Sequence, residues 1–158
     1  MIELVVVISL ISIMLFFAIP RFQGTVLTEN TKKFSRRLIT TIRSLKAAAV
    51  RDQTDYKLNV DLDTGKFWVT RATMSDEERL KADQDGYRLP DDVRIVDIEF
   101  ALNGKITGGQ VGINFYAGDY SDKAVIHIED DRRRQQSFLI EPFLPGVKLY
   151  DEYFEFET

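Results

Sequence analysis

The sequence predicts an α+β protein in which a long N-terminal hydrophobic helix, a membrane anchor, continues into an amphipathic helix packed on antiparallel β-sheets. Three observations predict this architecture. An apolar run opens the chain, a helical apolar period follows it, and from Tyr56 onward the period changes to two. We therefore divide the chain into a transmembrane and assembly helix at residues 1–20 and one α+β domain at residues 21–158.

The opening run is apolar enough to be an anchor. Between Leu4 and Ile19 only Ser9 and Ser12 are polar. At about 1.5 Å of rise per residue, a helix of this length nearly spans a bilayer. The sequence therefore predicts a membrane anchor and not a soluble core helix.

Glu3 is the acid that precedes this run. One interpretation is a terminal charge that snorkels to the lipid headgroups. The other is functional, because acids within membrane segments are costly and generally serve a purpose. In that interpretation the Glu3 carboxylate needs a cation from another chain, and Glu3 is a subunit-assembly residue.

An amphipathic helix is predicted at about residues 25–51. Pro20 breaks or kinks the helix before it, since proline removes a backbone donor. Beyond it, apolar residues recur at steps of three and four and predict a stripe that carries a sheet: Phe34, Leu38, Ile42, Leu45 and Ala49. Lys32, Arg36 and Arg43 collect on the opposite side, as a solvated face or as a contact for acidic patches of neighbouring subunits.

Residues 56–158 are predicted to form the β-sheets. A hairpin joins an alternating strand from Tyr56 to Leu62 with a second strand, Phe67–Val69. Ser75 and Glu78 form a capping box at the start of a short surface helix. The remaining predicted strands are Val93–Ile95, Ile98–Phe100, Val111–Phe115, Ala124–Ile128, Phe138–Ile140 and Val147–Leu149.

Composition excludes several kinds of function. The chain has 158 residues, a formal net charge of −4 and no cysteine, so neither a disulfide nor a thiol nucleophile is possible. Nucleic acid is not expected as a partner, because counterion release requires a basic surface. The one histidine, His127, lies between Ile126 and Ile128, and we expect it to point outward as an ordinary sheet residue.

Acidic residues suggest few chemical sites. Asp61–Gly65 and Asp83–Gly86 place oxygen ligands at alternating positions, as calcium loops do, but tight turns use the same residues. Asp91 and Asp92 are adjacent in the chain, and adjacent strand positions point to opposite faces. We therefore predict no enzyme, no catalytic residue, no metal site and no cofactor.

Two charged segments have open interpretations. The run from Glu129 to Arg134 is either a soluble hairpin tip or a docking site for a partner or a lipid headgroup. The tail from Tyr150 to Glu157 combines four aromatic residues with four acids. It is either an edge strand whose aromatic rings cover the core or a strip that binds a partner.

The N-terminal residues carry a family resemblance. Ile2-Glu3-Leu4, the apolar continuation and Ala18-Ile19-Pro20-Arg21-Phe22 resemble the opening of type IV pilins and type II secretion pseudopilins. The resemblance implies a basic leader ending in Gly that a prepilin peptidase removes, followed by methylation of the new N-terminal residue. It also implies that Glu3 pairs with the terminal amine of a neighbouring subunit. Met1 lies where the family usually has Leu, and we expect a truncated or mis-started chain.

Later segments resemble the H-type minor pseudopilins of type II secretion. They are Tyr56–Asp61, Leu89–Ile95, Ile113–Ile128 and Pro145-Gly146-Val147, although Tyr116-Ala117 replaces the usual Pro before the Gly of one turn. The resemblance implies a non-enzymatic subunit of a short periplasmic filament that moves folded proteins across the outer membrane. The implied partners are other pseudopilins, the inner-membrane assembly platform, the prepilin peptidase for the precursor, and membrane lipid.

The resemblance and the charge pattern disagree on orientation. Arg21, Lys32 and Lys33 follow the anchor, and the positive-inside rule alone would place the domain in the cytoplasm. The resemblance implies a single-pass inner-membrane protein with its C-terminal domain in the periplasm, the orienting charge having been on a removed leader. We expect the latter.

Two alternatives remain open. One is a minor pilin of a type IV pilus or a DNA-uptake system, which would share the anchor. The other is an unrelated binding domain tethered by a signal anchor, and Glu3 argues against it because a passive tether gains nothing from a buried acid.

Overall fold

The structure is a computed structural model that describes residues 3–10 and 29–156. Residues 3–10 are helical (α1). Pro20 and residues 11–20 of the predicted anchor lie outside the described residues, as does the predicted bend around Pro20. Within the two described stretches, no helix combines the length and the apolar character that crossing a membrane requires.

The long helix α2 (Glu29–Asp52) buries the predicted stripe. Its buried apolar side chains are those that the period of three and four selects: Phe34, Leu38, Ile42, Leu45 and Ala49. Fully burying a large apolar side chain stabilises a fold by about 1.5–3 kcal/mol, so this stripe attaches the helix firmly to the sheets. Lys32, Arg36 and Arg43 are exposed, as the sequence predicts.

Ten strands lie within residues 29–156 and form two antiparallel five-stranded sheets. They are β1 (Tyr56–Asp61), β2 (Lys66–Arg71), β3 (Tyr87–Arg88), β4 (Val93–Phe100), β5 (Gly104–Ile106), β6 (Gln110–Tyr116), β7 (Tyr120–Ser121), β8 (Ala124–Asp130), β9 (Gln135–Ile140) and β10 (Val147–Tyr150). The first sheet has the order β3-β2-β1-β6-β7 and the second has the order β10-β9-β8-β4-β5.

Local sequence signals are reproduced where they are strongest. The predicted hairpin is β1–β2, and α3 (Asp76–Gln84) begins with the complete Ser75–Glu78 capping box. The two strands predicted on either side of Val96 are one strand, β4, with a register shift between Ile95 and Asp97. A bulge at that point lets the strand continue with its apolar side chains on one face.

One core joins both sheets to α2. The inner faces of the two sheets and the stripe of α2 form a single hydrophobic cluster, whose ring contacts include Phe34 with Phe67 and with Phe138. This arrangement leaves each sheet with an outer face directed away from the helix. In the first sheet the outward residues Lys57 and Asn59 are exposed or half-exposed, whereas all seven residues of β8 in the second sheet are buried.

Candidate functional site

A row of polar side chains crosses the outer face of the second sheet. Asp97 of β4 is paired with His127 of β8, and His127 is paired with Ser137 of β9. Strand alternation places these three side chains on the face opposite the core. All three are buried, so another segment of the chain must cover them.

The covering segment is the C-terminal strap, which we define as residues 151–156. It leaves the edge strand β10 and returns across β9 and β8 toward β5, where Glu155 pairs with Lys105. On the way, Ser137 Oγ donates to the Glu152 carbonyl at 2.6 Å and accepts from the Phe154 N–H at 2.9 Å. The strap therefore spans the second sheet and is held by backbone as well as side-chain contacts.

His127 is the centre of this contact. Its Nδ1 lies 2.7 Å from Asp97 Oδ1, and its Nε2 lies 2.6 Å from the Phe154 carbonyl oxygen. The Tyr153 ring stacks on the imidazole with centroids 4.0 Å apart. Both contacts are within hydrogen-bond distance, and a carbonyl and a carboxylate are both acceptors. The ring thereby connects β4 to the strap.

The sequence predicts that His127 points outward as an ordinary sheet residue. The direction is correct, but the side chain is not that of an ordinary outward residue, because it is covered. The side chain does point away from the core, but its exposed fraction is 0%. Alternation along β8 predicts the face correctly and cannot predict what covers it, since the covering residues lie 27 positions later in the chain.

Asp97 is held ionised by its partners. Burial raises the pKa of this carboxyl, but hydrogen bonds from His127 and Tyr153 together outweigh burial and leave the pKa lowered. The Tyr153 hydroxyl donates to Asp97 Oδ2 at 2.6 Å. Burial, followed by this bond to the carboxylate, raises the pKa of Tyr153 to about 12. Asp97 therefore acts as an anionic anchor for the strap.

Aspartate, histidine and serine in one row invite comparison with a nucleophile triad, but the bonds differ. A triad requires the serine hydroxyl to hydrogen-bond the imidazole that activates it. Here His127 Nε2 contacts the Phe154 carbonyl, and the Ser137 hydroxyl contacts Glu152 and Phe154. The row fastens the strap, and these bonds do not activate Ser137.

The strap also reaches α2 through the sheet. Gln136 Nε2 donates to Asp151 Oδ1 at 2.7 Å, and Ser35 Oγ on α2 donates to Gln136 Oε1 at 2.8 Å. Gln136 is almost fully buried between them. The strap and the start of the long helix are thus connected through one amide.

Neither interpretation of the tail describes this arrangement fully. Val147–Tyr150 does form an edge strand, β10, as the first interpretation requires. The next aromatic residues, however, cover the outer face of the sheet and not the core. Phe154 stacks on Tyr150 with centroids 4.6 Å apart, and Tyr153 stacks on His127.

Asp97 and Ser137 are the site residues that sequence reasoning missed. Both are polar residues at outward positions with an apolar residue next to them in the strand, as His127 is. Three such residues together with an aromatic tail are the signal that could have indicated a covered face. The signal is weak, because exposed sheet faces have the same composition.

Glu3 lies in α1 and is exposed, as are the apolar residues that follow it. Leu4, Val5 and Ile8 expose 67%, 63% and 54% of their surface. Ser9 Oγ donates to the Val5 carbonyl within the helix, which satisfies one polar group of the predicted anchor locally. The assembly role of Glu3 stays a prediction, and the helix break at Pro20 lies outside the described residues.

The two aspartate turns use carboxylates within the protein, on backbone groups in the first turn and on a lysine in the second. Asp61 Oδ1 accepts from the Asp63 and Thr64 N–H groups, and Asp63 Oδ2 accepts from the Gly109 N–H. The Thr64 bond is the main cause of the lowered pKa of Asp61. In the second turn Asp83 pairs with Lys66 at 2.5 Å. Across residues 3–10 and 29–156, no group of three or more His or acidic side chains is arranged to hold a metal ion.

The charged run after β8 forms a hairpin tip. The Asp130 carboxylate accepts from the backbone N–H groups of Arg132 and Arg134 and pairs with the Arg134 guanidinium at 2.6 Å. Asp130 is buried, and burial raises the pKa of its carboxyl. These bonds lower the pKa by more, so that the net shift is a decrease. This geometry fits the interpretation as a turn.

Comparisons with known proteins identify the fold. No protein-family model matches the chain, and no curated protein matches it in sequence. Two solved structures of the minor pseudopilin EpsH from the type 2 secretion system of Vibrio cholerae match in three dimensions. One has a TM-score of 0.60 at 10% identity and covers 80% of this chain and 99% of that one. The other has a TM-score of 0.59 at 9% identity, with coverages of 82% and 99%.

The described domain therefore has an α+β pilin-like fold, as the sequence predicts, with a helix packed on two antiparallel sheets. At this level of identity the match establishes the fold and leaves the specific role to be argued.

Proposed function

We propose that this chain is a minor pseudopilin, a structural subunit of the type II secretion pseudopilus that helps move folded proteins across the outer membrane. The observation that carries the proposal is the match to EpsH over 99% of that chain. The acidic residue Glu3 at the start of an apolar run supports the proposal independently. In a filament its carboxylate can pair with the terminal amine of a neighbouring subunit, which offsets the cost of a charge in that position.

The proposal includes a location and partners. Residues 1–20 anchor the chain in the inner membrane by a single pass, and the domain lies in the periplasm. Its partners are other pseudopilins, the assembly platform, membrane lipid and, for the precursor, a prepilin peptidase. Nucleic acid is not among them, since the net charge is −4. The domain contributes surfaces for assembly and no reaction.

Deleting the gene in its host tests the system to which the subunit belongs. We expect normally exported, folded proteins to accumulate in the periplasm while surface motility and DNA uptake are unchanged. The measurement is the periplasmic and extracellular activity of a secreted enzyme, with plasmid complementation as the control. Normal secretion with loss of pili or transformation would instead indicate the minor-pilin alternative.

Substituting Glu3 tests the assembly role. Glu3→Leu removes a charge from an apolar helix, so membrane insertion should be unchanged or improved, while incorporation into the filament should fall. Val6→Leu is a matched control, because it changes volume in the same helix without changing charge. Cross-linking to partner pseudopilins that equals wild type in Glu3→Leu would leave only the snorkelling interpretation.

A further inference from the structure

An aromatic groove lies beside the C-terminal half of α2. We define it by Tyr116, Tyr120, Phe143 and Leu144, which line a cleft of about 440 Å³. Tyr120 stacks on Tyr116 at 4.5 Å, and its ring is 6.4 Å from that of Phe143. Phe143 is 80% exposed, and Tyr120 and Leu144 are each 44% exposed. Adjacent apolar groups of this size open to water are typical of an interaction site.

The loop that presents the groove, residues 141–146, is fixed from two sides. Lys46 Nζ donates to the carbonyls of Glu141 and Leu144, at 2.5 and 2.6 Å. The Ser121 N–H donates to the Pro142 carbonyl at 3.1 Å. Since the backbone is held in place, the exposure of Phe143 is a preformed feature and not the result of a loose loop.

The wall of the groove on α2 is cationic. Arg43, Lys46 and Arg51 line it, with Asp119 opposite. Burial lowers the pKa of Lys46, while Asp119 and Glu141 act in the opposite direction. Arg51 pairs with Asp52 at 2.8 Å. The Arg43 guanidinium borders the groove close to Gly146. A ligand that combines an apolar side chain with carboxylates would complement this surface.

The chain carries such a surface itself, on α3. No residue of this nine-residue helix is buried, and its first turn contains Asp76, Glu77 and Glu78. Leu80 is 60% exposed. Helix spacing places Asp76 and Glu77 one turn before Leu80 on the same face. Glu78 is engaged in the capping box, which leaves the other two carboxylates to face outward with the leucine.

The two surfaces lie at opposite edges of the first sheet. α3 packs on β2 beside the β3 edge, and the groove includes Tyr120 of β7, the other edge. Four strand spacings separate these edges, about 19 Å at 4.8 Å per strand. A single molecule cannot bring them together, so the contact is possible only between copies. Contacts between different surfaces of identical subunits are heterologous, and they produce closed rings or open filaments according to the rotation between copies.

We propose that the aromatic groove binds α3 of a second copy of this chain, with Leu80 against Phe143 and Leu144 and with Asp76 and Glu77 facing Arg43. This inference rests on the proposed function, in which copies of the chain are anchored in the same membrane. A nine-residue helix buries less surface than a stable dimer needs. The contact is therefore weak in dilute solution and forms when anchoring raises the effective concentration of copies.

Cysteine cross-linking tests the contact, because the chain has no cysteine of its own. Ala47→Cys lines the groove, and Lys81→Cys lies on α3 next to Leu80, which stays in place. The two single variants of the full chain are reconstituted together in phospholipid vesicles and treated with a short bis-maleimide. We expect a covalent dimer in the mixture at several times its yield from either variant alone. Leu102→Cys, whose native side chain is 96% exposed, replaces Lys81→Cys as the control for random collision.

A charge exchange provides the second test. Arg43→Glu and Glu77→Lys should each lower the cross-linking yield several-fold. Combining them on opposite partners should restore it, because the groove is then acidic and the facing helix basic. A mixed yield equal to the Leu102 control, dimers of Ala47→Cys alone, or no restoration by the exchanged pair would each overturn the proposal. Such a result alongside normal secretion by Arg43→Glu would leave the proposed function intact.

Discussion

The two sheets of this domain bury their inner faces in the same core and treat their outer faces differently. In the first sheet, the outward residues of β1 remain in contact with water, and only Leu58 and Val60 of that strand are buried. In the second sheet, the outward residue His127 of β8 lies beneath the C-terminal strap. Since both strands alternate along the chain, the difference comes from a distant segment and not from the strands.

This difference separates two sources of stability. Stability on the first sheet depends on one buried face, as is usual for an antiparallel sheet. On the second sheet it also depends on polar and aromatic contacts between the outer face and the strap. We therefore expect substitutions on the outer face to be nearly neutral in the first sheet and costly in the second.

The largest effect is expected from ending the chain after Tyr150. Loss of the strap removes the half-buried rings of Tyr153 and Phe154 with their hydrogen bonds and exposes the buried His127. It should lower the free energy of unfolding by about 3–5 kcal/mol. The measurement is urea unfolding, followed by circular dichroism, of the fragment that begins near Thr28. We expect that fragment to be folded and soluble without detergent, because the apolar excess precedes Pro20.

The matched control for the truncation is Phe143→Ala, which removes an aromatic ring that is already exposed. It should change the free energy of unfolding by about 0.5 kcal/mol or less. Equal urea midpoints for the truncated and complete fragments would show that the strap contributes nothing.

A smaller effect is expected from breaking the buried pair beneath the strap. Asp97→Asn keeps the shape of the side chain and removes the charge that His127 contacts at 2.7 Å. Removing a hydrogen bond to a buried charged group typically costs about 1.5–3 kcal/mol, and here the strap retains its aromatic contacts. Thermal or urea unfolding measures the change. Asp131→Asn, an exposed acid at the β8–β9 turn, is the control and should be neutral.

Acid should weaken the same pair. The pKa of Asp97 in the fold is below its ordinary value of 3.8, so the folded state binds this proton less readily than the unfolded chain does. Its contribution is therefore complete above about pH 4 and is lost as pH falls through the lowered pKa of the folded state. We expect the free energy of unfolding of the wild type to fall more steeply below pH 4 than that of Asp97→Asn. Parallel pH profiles would contradict this assignment.

The smallest effect is expected on the outer face of the first sheet. Lys57 is exposed there, and Lys57→Ala should change the free energy of unfolding by about 0.5 kcal/mol or less. Urea unfolding alongside Asp97→Asn makes the comparison between the sheets direct. A loss at Lys57 as large as that at Asp97 would mean that the first sheet is also covered, by something other than the described residues.

Local physical chemistry explains what could be predicted from the sequence. The apolar stripe of α2 follows from 3.6 residues per turn, the β1–β2 hairpin from alternation around Asp63-Thr64-Gly65, and the start of α3 from a capping box within four residues. Each of these patterns is formed by residues that are close together in the sequence. The α+β architecture was predictable for the same reason.

The tertiary structure alone decided the short edge strands, the covering of the second sheet and the groove. β3, β5 and β7 have only two or three residues each and exist because a partner strand pairs with them. His127 is buried because the chain returns over it after β10, and Phe143 is exposed because Lys46 and Ser121 hold its loop open. These contacts join residues far apart in sequence, and their free energy exists only once the chain is folded, so no local pattern encodes them.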